Sequence, residues 1–164
     1  MNYRIEEKPA FTIFGVEKFI NMEDGANFKE IPEFWGEFLG SDENKRPPID
    51  EDAHSWHAIL SYEDWQDGKM PYMIFTPKKD GMDSTGFKEL TVPAAEWAIF
   101  TTDVVKYITE PLQEIWKRIF EEWFPTSNYE HAPLPECEFY YEVEGGEYAE
   151  VWIPVIKKTG GQIK

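Results

Sequence analysis

The clearest chemistry in the sequence lies near its C-terminus, in the stretch PECEFYYEVEGGEYAEVWIPV, residues 135–155. Polar and apolar residues alternate on both sides of Gly145-Gly146, which predicts two β-strands joined by a tight turn. Because side chains alternate between the two faces of a strand, Glu138 and Tyr140 share one face. We expect the apolar sides of both strands to pack beneath helices, which leaves Glu138, Tyr140 and Trp152 together on the opposite face.

A carboxylate among aromatic rings has two interpretations. The face is solvated and its rings are scattered, or Glu138 lies at the base of an aromatic cleft. A buried carboxylate costs several kcal/mol unless it is paired or hydrogen-bonded, so a cationic ligand is a natural partner for it. An acid in an apolar pocket also has a raised pKa, which suits a general acid or base. Glu138 is therefore the candidate charge of a binding site or the candidate catalytic acid of an enzyme, with Tyr140 assisting.

Other catalytic and metal-binding signatures are absent from the sequence. It contains no Gly-x-Ser-x-Gly elbow and no His-Glu-x-x-His, and GMDSTGFK carries Phe87 where a phosphate-binding loop needs lysine. His54 and His57 point to opposite faces if they lie on a strand, so we predict no metal site and no cofactor. His131 is expected in a solvated loop, and Cys137 in the core rather than as a nucleophile.

The elements that position these residues form two similar halves. In the first half, a long strand over RIEEKPAFTIFGVEKF precedes a helix near residues 27–39, for which Gly40 is a plausible stop. The polar loop SDENKRPPIDED follows, and then the predicted strands SWHAILSY and PYMIFTP.

The second half repeats this order. FKELTVPAAEWAIFTTD reads as a strand, and a helix follows near 109–123 with Thr109 as its expected N-cap and Pro111 in its first turn. An apolar stripe on that helix marks its packing face: Leu112, Ile115, Trp116, Ile119, Phe120 and Trp123. The pair Pro93-Ala94 stands 84 residues after Pro9-Ala10, close to half the chain.

Two β-α-β-β units predict an α+β fold, a mostly antiparallel sheet with two helices on one face. We expect one domain over residues 1–158 and a C-terminal tail at 159–164. Nothing in the sequence indicates an oligomeric state.

Composition limits the classes of function. The chain has 164 residues, 32 acidic against 16 basic, and a net charge of −16. This charge repels a phosphate backbone, so we predict no direct nucleic-acid binding; it suits solubility, or attraction of cations or of a basic protein. No apolar run is long enough to span a membrane, no secretory signal opens the chain, and the single cysteine indicates a cytoplasmic location.

Four pieces in order resemble a known family: VPAAEWAIF (92–100), WFPTSNYE (123–130), PECEFY (135–140) and EVWIPV (150–155). Over about residues 3 to 157 the sequence resembles the gyrase-inhibitor-like small-molecule-binding domain. This effector-binding domain also forms the C-terminal part of multidrug-sensing transcription activators. The resemblance implies two β-α-β-β repeats about a pseudo-twofold axis, with a ligand cleft at their junction. Since it begins at residue 3, we expect a stand-alone form without a DNA-binding helix-turn-helix.

The resemblance also implies roles for particular residues. Family members bind bulky, lipophilic or cationic compounds, and a glutamate of the Glu-x-Tyr strand commonly sits in the pocket; here it is Glu138, followed by Tyr140. Trp152 matches the aromatic that often precedes Ile-Pro, and Phe34 and Trp35 are expected to help close the cleft. The seven tryptophans exceed the family's usual number, which suggests a pocket shaped for a different ligand.

Three functions remain open at this point. The first is binding of a small aromatic or cationic molecule. The second is hydrolysis that opens a cyclopropane ring of a toxic natural product, with Glu138 and Tyr140 as the catalytic residues, because some stand-alone family members are such hydrolases. The third is modulation of DNA gyrase, or of a separate regulator, as a protein partner.

Overall fold

A computed structural model describes residues 1–42 and 56–159. Within those ranges the helices are α1 (Asn27–Leu39) and α2 (Thr109–Arg118); α2 continues into a π-helical turn (Ile119–Trp123) and a last turn (Phe124–Thr126), and a 3₁₀ turn (Glu23–Gly25) precedes α1. The strands are β1 (Tyr3–Lys8), β2 (Phe11–Asn21), β3 (His57–Leu60), β4 (Lys69–Pro77), β5 (Lys88–Val92), β6 (Ala95–Thr101), β7 (Tyr129–His131), β8 (Glu136–Val143) and β9 (Gly146–Lys157). None of the described helices has the length and apolar character needed to cross a bilayer.

The chain divides into two compact units, one formed by Met1–Ala10 with Pro93–Lys164 and the other by Phe11–Val92. In the first unit the strand order is β1-β6-β9-β8, and β7 also pairs with β9. In the second unit the order is β3-β4-β2-β5. The strand pairs within each unit are antiparallel, so the predicted α+β class with antiparallel pairing is confirmed.

The two repeats exchange their first strands. The repeats read β1-β2-α1-β3-β4 and β5-β6-α2-β8-β9, with β7 as an addition to the second. However, β1 pairs with β6 of the second repeat, and β5 pairs with β2 of the first. The chain passes between units at Ala10/Phe11 and again at Val92/Pro93.

This exchange corrects the long strands predicted around each Pro-Ala pair. The structure has a strand before and after Pro9-Ala10, and likewise around Pro93-Ala94. Proline lacks the N–H that a continuous ladder needs, so the pairing breaks there and the next strand joins a different neighbour. The 84-residue repeat of Pro-Ala therefore marks the two points where the chain changes units.

The helices match their predicted positions, but one cap differs. Helix α1 has the predicted bounds, and Pro111 lies in the first turn of α2. The predicted N-cap Thr109 is wrong, because the cap residue is Ile108 and no capping side chain bonds there. Instead the Ile108 N–H donates to Glu147 Oε2 at 2.9 Å, so a carboxylate from β9 serves the positive end of the helix.

The core of the first unit lies between α2 and one face of its sheet. The apolar side chains of β9 on that face, with two from β6, meet a buried column from α2 and the π-helical turn: Ala98, Phe100, Leu112, Ile115, Ile119, Trp123, Ala149, Val151, Ile153 and Val155. Burying branched side chains on this scale removes apolar surface from water, the main stabilising effect in folding. The helix-covered face of the first unit is defined by these residues.

Candidate functional site

Glu138 lies on the helix-covered face, and the hairpin register places it there. The strands β8 and β9 meet through a two-residue loop that pairs Val143 with Gly146, so Glu138 pairs with Val151 and Tyr140 with Ala149. Directly paired residues of an antiparallel ladder point the same way. Val151 and Ala149 belong to the core under α2, so Glu138 and Tyr140 share that core face rather than the opposite one.

The Glu138 carboxylate is buried and held by two aromatic donors. The residue is only 8% exposed. Trp116 Nε1 donates to Glu138 Oε2 at 2.6 Å, and the Tyr140 hydroxyl donates to Oε1 at 2.5 Å. Burial raises the pKa of Glu138; the bonds from Tyr140 and Trp116 act in the opposite direction, and the charge of Glu136 adds to the rise. Within the described residues no lysine or arginine forms a salt bridge with Glu138.

The aromatic stripe of the second helix splits into two columns. Leu112, Ile115, Ile119 and Trp123 are buried in the core. The other column carries Trp116 and Phe120, whose rings stack with centroids 6.2 Å apart and planes 5° from parallel. Phe120 is 46% exposed and also contacts Phe124, at 5.4 Å between centroids. This second column offers flat apolar surface next to the carboxylate, and the predicted stripe had assigned it wholly to packing.

A second acid and a histidine adjoin this surface. Glu136 lies two residues before Glu138 on β8 and therefore faces the same way. His131 Nε2 is 3.5 Å from Glu136 Oε1, and its ring lies 6.4 Å from that of Phe120. The expectation of a solvated loop histidine is wrong, because His131 is the last residue of β7 and is partly buried against these groups.

Trp152 lies on the other face of the same sheet, so its predicted grouping with Glu138 and Tyr140 is wrong. It pairs with Cys137, and its ring packs on Phe139 at 4.5 Å and on Trp97 at 5.7 Å. The physical reason is the odd-with-even pairing that a two-residue loop imposes across the hairpin. The prediction grouped the residues of each strand by polarity and did not take this pairing between the strands into account.

Trp152 instead accompanies a second buried acid, Glu150. Glu150 is 8% exposed, and Trp152 Nε1 donates to its Oε1 at 3.2 Å. Arg4 Nη1 lies 2.9 Å from Glu150 Oε2, and the Tyr141 hydroxyl is 3.4 Å from Oε1. Glu150 thus has a cationic partner within the unit, whereas Glu138 has hydrogen-bond donors that carry no charge.

Phe34 and Trp35, the other predicted ligand residues, belong to the second unit. Phe34 is buried against Tyr72, at 6.0 Å between ring centroids, and Trp35 Nε1 donates to the Tyr72 hydroxyl at 2.8 Å. Lys18 Nζ lies 5.8 Å from the centre of the Phe34 ring. Their role in ligand binding stays a prediction, as does that of Trp152.

Two further candidates, Cys137 and His57, are buried. Cys137 is fully buried, which raises the pKa of its thiol and leaves it poorly reactive. His57 is buried beside Phe75, and burial lowers its pKa to about 4, so it is neutral at physiological pH. His54 lies outside the described residues, among which no group of three His, Cys, Asp or Glu side chains is arranged to hold a metal.

Comparison with known families identifies the class of protein. The model of the integron-associated effector binding proteins matches residues 4–155, nearly the whole chain. The chain belongs to this family. The resemblance to effector-binding domains is therefore confirmed, while a comparison with curated proteins gave no match.

Solved structures share the fold of the family at low sequence identity. SAV2435, solved bound to tetraphenylphosphonium, has a TM-score of 0.77 and 17% identity, covering 95% of this chain and 94% of that one. An integron cassette protein from Vibrio cholerae has a TM-score of 0.65 and 17% identity, covering 94% and 95%. The C-terminal domain of EcmrR has a TM-score of 0.56 and 14% identity, covering 96% and 98%. These likenesses establish the effector-binding fold for the chain.

Proposed function

We propose that this protein binds a bulky lipophilic cation, with Glu138 as the counter-charge. The observation that carries the proposal is a buried carboxylate whose described partners, Trp116 and Tyr140, are both uncharged donors. Two hydrogen bonds orient the carboxylate but leave its negative charge uncompensated in a region of low dielectric constant. A ligand cation supplies the missing charge and replaces the solvation that burial removes.

The rings beside Glu138 define the kind of cation that fits. Trp116 stacks on the half-exposed Phe120, and the Tyr140 ring stands beside them on the same face. Aromatic faces attract cations through their quadrupole and bury apolar surface of the ligand. A small hydrated ion gains little from such surface, so an aryl- or alkyl-substituted ammonium or phosphonium ion is the favoured class.

The comparisons support the proposal. The family consists of effector-binding proteins, and SAV2435, similar in fold, was solved with the lipophilic cation tetraphenylphosphonium. A buried acid among aromatic rings suits a ligand of this kind.

A matched pair of ions tests the proposal. Tetraphenylphosphonium and tetraphenylborate have nearly the same size and opposite charges, so calorimetric titration with both separates charge from shape. We expect the phosphonium to bind and the borate not to bind. Glu138→Gln should weaken the phosphonium by roughly 10- to 150-fold, the loss of about 1.5–3 kcal/mol expected for hydrogen-bonded charge interactions.

Glu142→Gln is the control, because Glu142 is an exposed acid on the same strand and face and its substitution removes the same formal charge. Equal weakening by both variants would show that net charge alone attracts the ligand. Equal binding of the two ions would show that Glu138 is not the counter-charge.

Ring-opening hydrolysis is a second candidate, because the pKa of Glu138 is raised by burial and Tyr140 bonds directly to its carboxylate. Incubation with cyclopropane-bearing aromatic compounds, followed by mass spectrometry, tests it. A product with one added water, formed with catalytic amounts of protein and lost in Glu138→Gln, would establish an enzyme. An unchanged substrate mass would leave binding as the function.

A further inference from the structure

An excursion of the chain between β7 and β8 brings a histidine to Glu136. Both strands pair with the same edge of β9, where His131 lies opposite Val155 and Cys137 opposite Trp152. Between these pairs the chain uses more residues than β9 does, and the excess bulges out through the sequence Ala-Pro-Leu-Pro, anchored by the Ala132 N–H on Pro154 O at 2.8 Å. Because of the bulge, His131 Nε2 lies 3.5 Å from Glu136 Oε1.

The backbone fixes which nitrogen of His131 titrates. His131 Nδ1 lies 2.5 Å from the carbonyl oxygen of Ala132. A carbonyl only accepts, so Nδ1 carries a hydrogen in both protonation states. Nε2, which faces the Glu136 carboxylate, is then the atom that gains or loses the proton. Protonation of His131 turns this contact into an ion pair. Deprotonation leaves the Glu136 carboxylate facing a neutral imidazole.

The groups around His131 make Glu136 its principal electrostatic neighbour. The helix side presents the rings of Phe120 and Phe124, and β9 presents the paired Val155. Lys158, beyond β9, donates its Nζ to the carbonyl of Phe124 at 2.8 Å. The bond to Glu136 raises the pKa of His131, while partial burial opposes the rise.

Glu136 and Glu138 act on the same site. Two residues along a strand span about 7 Å, and both side chains point to the helix-covered face. The charge of Glu136 raises the pKa of Glu138, so the two carboxylates interact electrostatically. When both carboxylates are ionised, the site holds two negative charges if His131 is neutral and a net charge of minus one if His131 is protonated.

We propose that Glu136 is a second cation-binding carboxylate controlled by His131, so that the site accepts ligands carrying two positive charges about 7 Å apart when His131 is neutral. This inference rests on the proposed function, since Glu138 holds the first positive charge. When His131 is protonated it forms an ion pair with Glu136, and the site then binds only single cations. At a pH above the titration of His131, the ligand class therefore includes lipophilic dications.

A pair of isosteric phosphonium ions tests this directly. Pentyltriphenylphosphonium is a single cation, and (4-aminobutyl)triphenylphosphonium replaces its terminal methyl by an ammonium group, so that its two charges match the proposed separation when the chain is extended. At a pH above the titration of His131 we expect the wild-type protein to prefer the dication by roughly three- to thirtyfold, the effect of one added ion pair between partly exposed groups. At a pH below that titration, where His131 is protonated, the preference should disappear. The ratio of the two affinities cancels the titration of Glu138, because both ligands need that residue.

Two variants show which residues cause the pH-dependent preference for the dication. His131→Gln keeps a polar side chain that cannot be protonated, so the dication preference should persist at both pH values. Glu136→Gln should abolish the preference at both pH values while the single cation still binds.

The outcomes separate the two proposals. A wild-type ratio near one above the titration of His131, with pentyltriphenylphosphonium bound and weakened by Glu138→Gln, overturns this inference and leaves the proposed function intact. A preference that survives in Glu136→Gln also overturns it, since the ammonium group would bind elsewhere. Failure of pentyltriphenylphosphonium to bind, or binding that Glu138→Gln does not weaken, overturns the proposed function itself.

Discussion

Among its described residues, the first unit buries two carboxylates on opposite faces of one sheet, and their partners differ in kind. Glu150 meets Arg4, which neutralises it within the fold. Glu138 meets an indole N–H and a phenol O–H, which orient a carboxylate without cancelling its charge. The same residue type at equal burial thus has a charged partner on one face and, among the described residues, uncharged donors on the other.

Substitution of Glu138 should therefore raise or preserve stability in the absence of ligand. Glu138→Gln removes a desolvated charge and can still accept from Trp116 and donate to Tyr140, whereas Glu138→Leu leaves both donors unpaired and should cost about 1–3 kcal/mol relative to Gln. Because the pKa of Glu138 is raised in the folded state, its contribution to stability is complete below the unfolded pKa and is lost as pH rises through the folded value.

Urea unfolding from about pH 4 to 8 checks this. The stability of Glu138→Gln relative to wild type should grow as pH rises. A gap that instead grows toward low pH would contradict the raised pKa and, with it, the uncompensated charge.

Among the elements, the hairpin shows what the sequence can and cannot predict. The strands, the turn at Gly145 and the bounds of α1 follow from local patterns of alternation and helical spacing. The faces on which Glu138 and Trp152 lie do not, because they depend on the register of the hairpin. A two-residue turn always pairs odd with even positions, and that rule alone would have separated Trp152 from Glu138.

The exchange of first strands lay beyond any local pattern. Pairing of β1 with β6 and of β5 with β2 is set by contacts far apart in sequence. The hydrogen bond of Trp116 could not be predicted for a similar reason. Its helical spacing fits the apolar stripe, while its N–H donates to a strand residue more than twenty positions later. The width of that stripe, two columns rather than one, was the only sign in the sequence that some of its residues do more than pack in the core.

At the same scale, Trp116 should control the ionisation of Glu138 as well as its position. Trp116→Phe keeps a ring stacked on Phe120 but removes the donor to Oε2, and this bond lowers the pKa of Glu138. We expect the loss of about 1.5–3 kcal/mol of stability and weaker tetraphenylphosphonium binding at neutral pH.

The distinguishing measurement is the pH profile of tetraphenylphosphonium affinity. In Trp116→Phe its midpoint should move to higher pH, because the carboxylate then ionises later. A uniform loss of affinity with an unchanged midpoint would indicate that the indole only packs.

The two hairpin glycines provide a matched test of the turn. Both have positive φ, 93° at Gly145 and 150° at Gly146, but a Cβ at Gly145 would meet open space while one at Gly146 would overlap the carbonyl of Val105. Val105 and Glu147 exchange two 2.8 Å backbone hydrogen bonds, so that carbonyl cannot easily move. Gly145→Ala should cost about 1–2 kcal/mol from backbone strain, and Gly146→Ala about 1–3 kcal/mol more. Equal midpoints in urea unfolding would contradict the close approach.

For the whole molecule, the net charge of −16 predicts how it meets other polymers. Repulsion from phosphates should prevent binding to duplex DNA at physiological salt, which fluorescence anisotropy with a labelled duplex would measure. A sequence-specific change at sub-micromolar protein would contradict the prediction. Modulation of gyrase or another regulator, which needs a basic protein surface rather than DNA, stays a prediction that the same charge permits.

The reciprocal exchange of β1 and β5 makes the two halves of the gene inseparable. A fragment of residues 1–80 holds β1 without β6 and leaves the outer edge of β2 unpaired, and residues 81–164 have the converse defect. Each fragment alone should lack a cooperative unfolding transition by circular dichroism, while mixing them should restore one; cooperative unfolding of either fragment alone would refute this. If the chain arose by tandem duplication, its single-repeat ancestor needed a second copy to complete its sheet, so a strand-swapped homodimer would have preceded fusion.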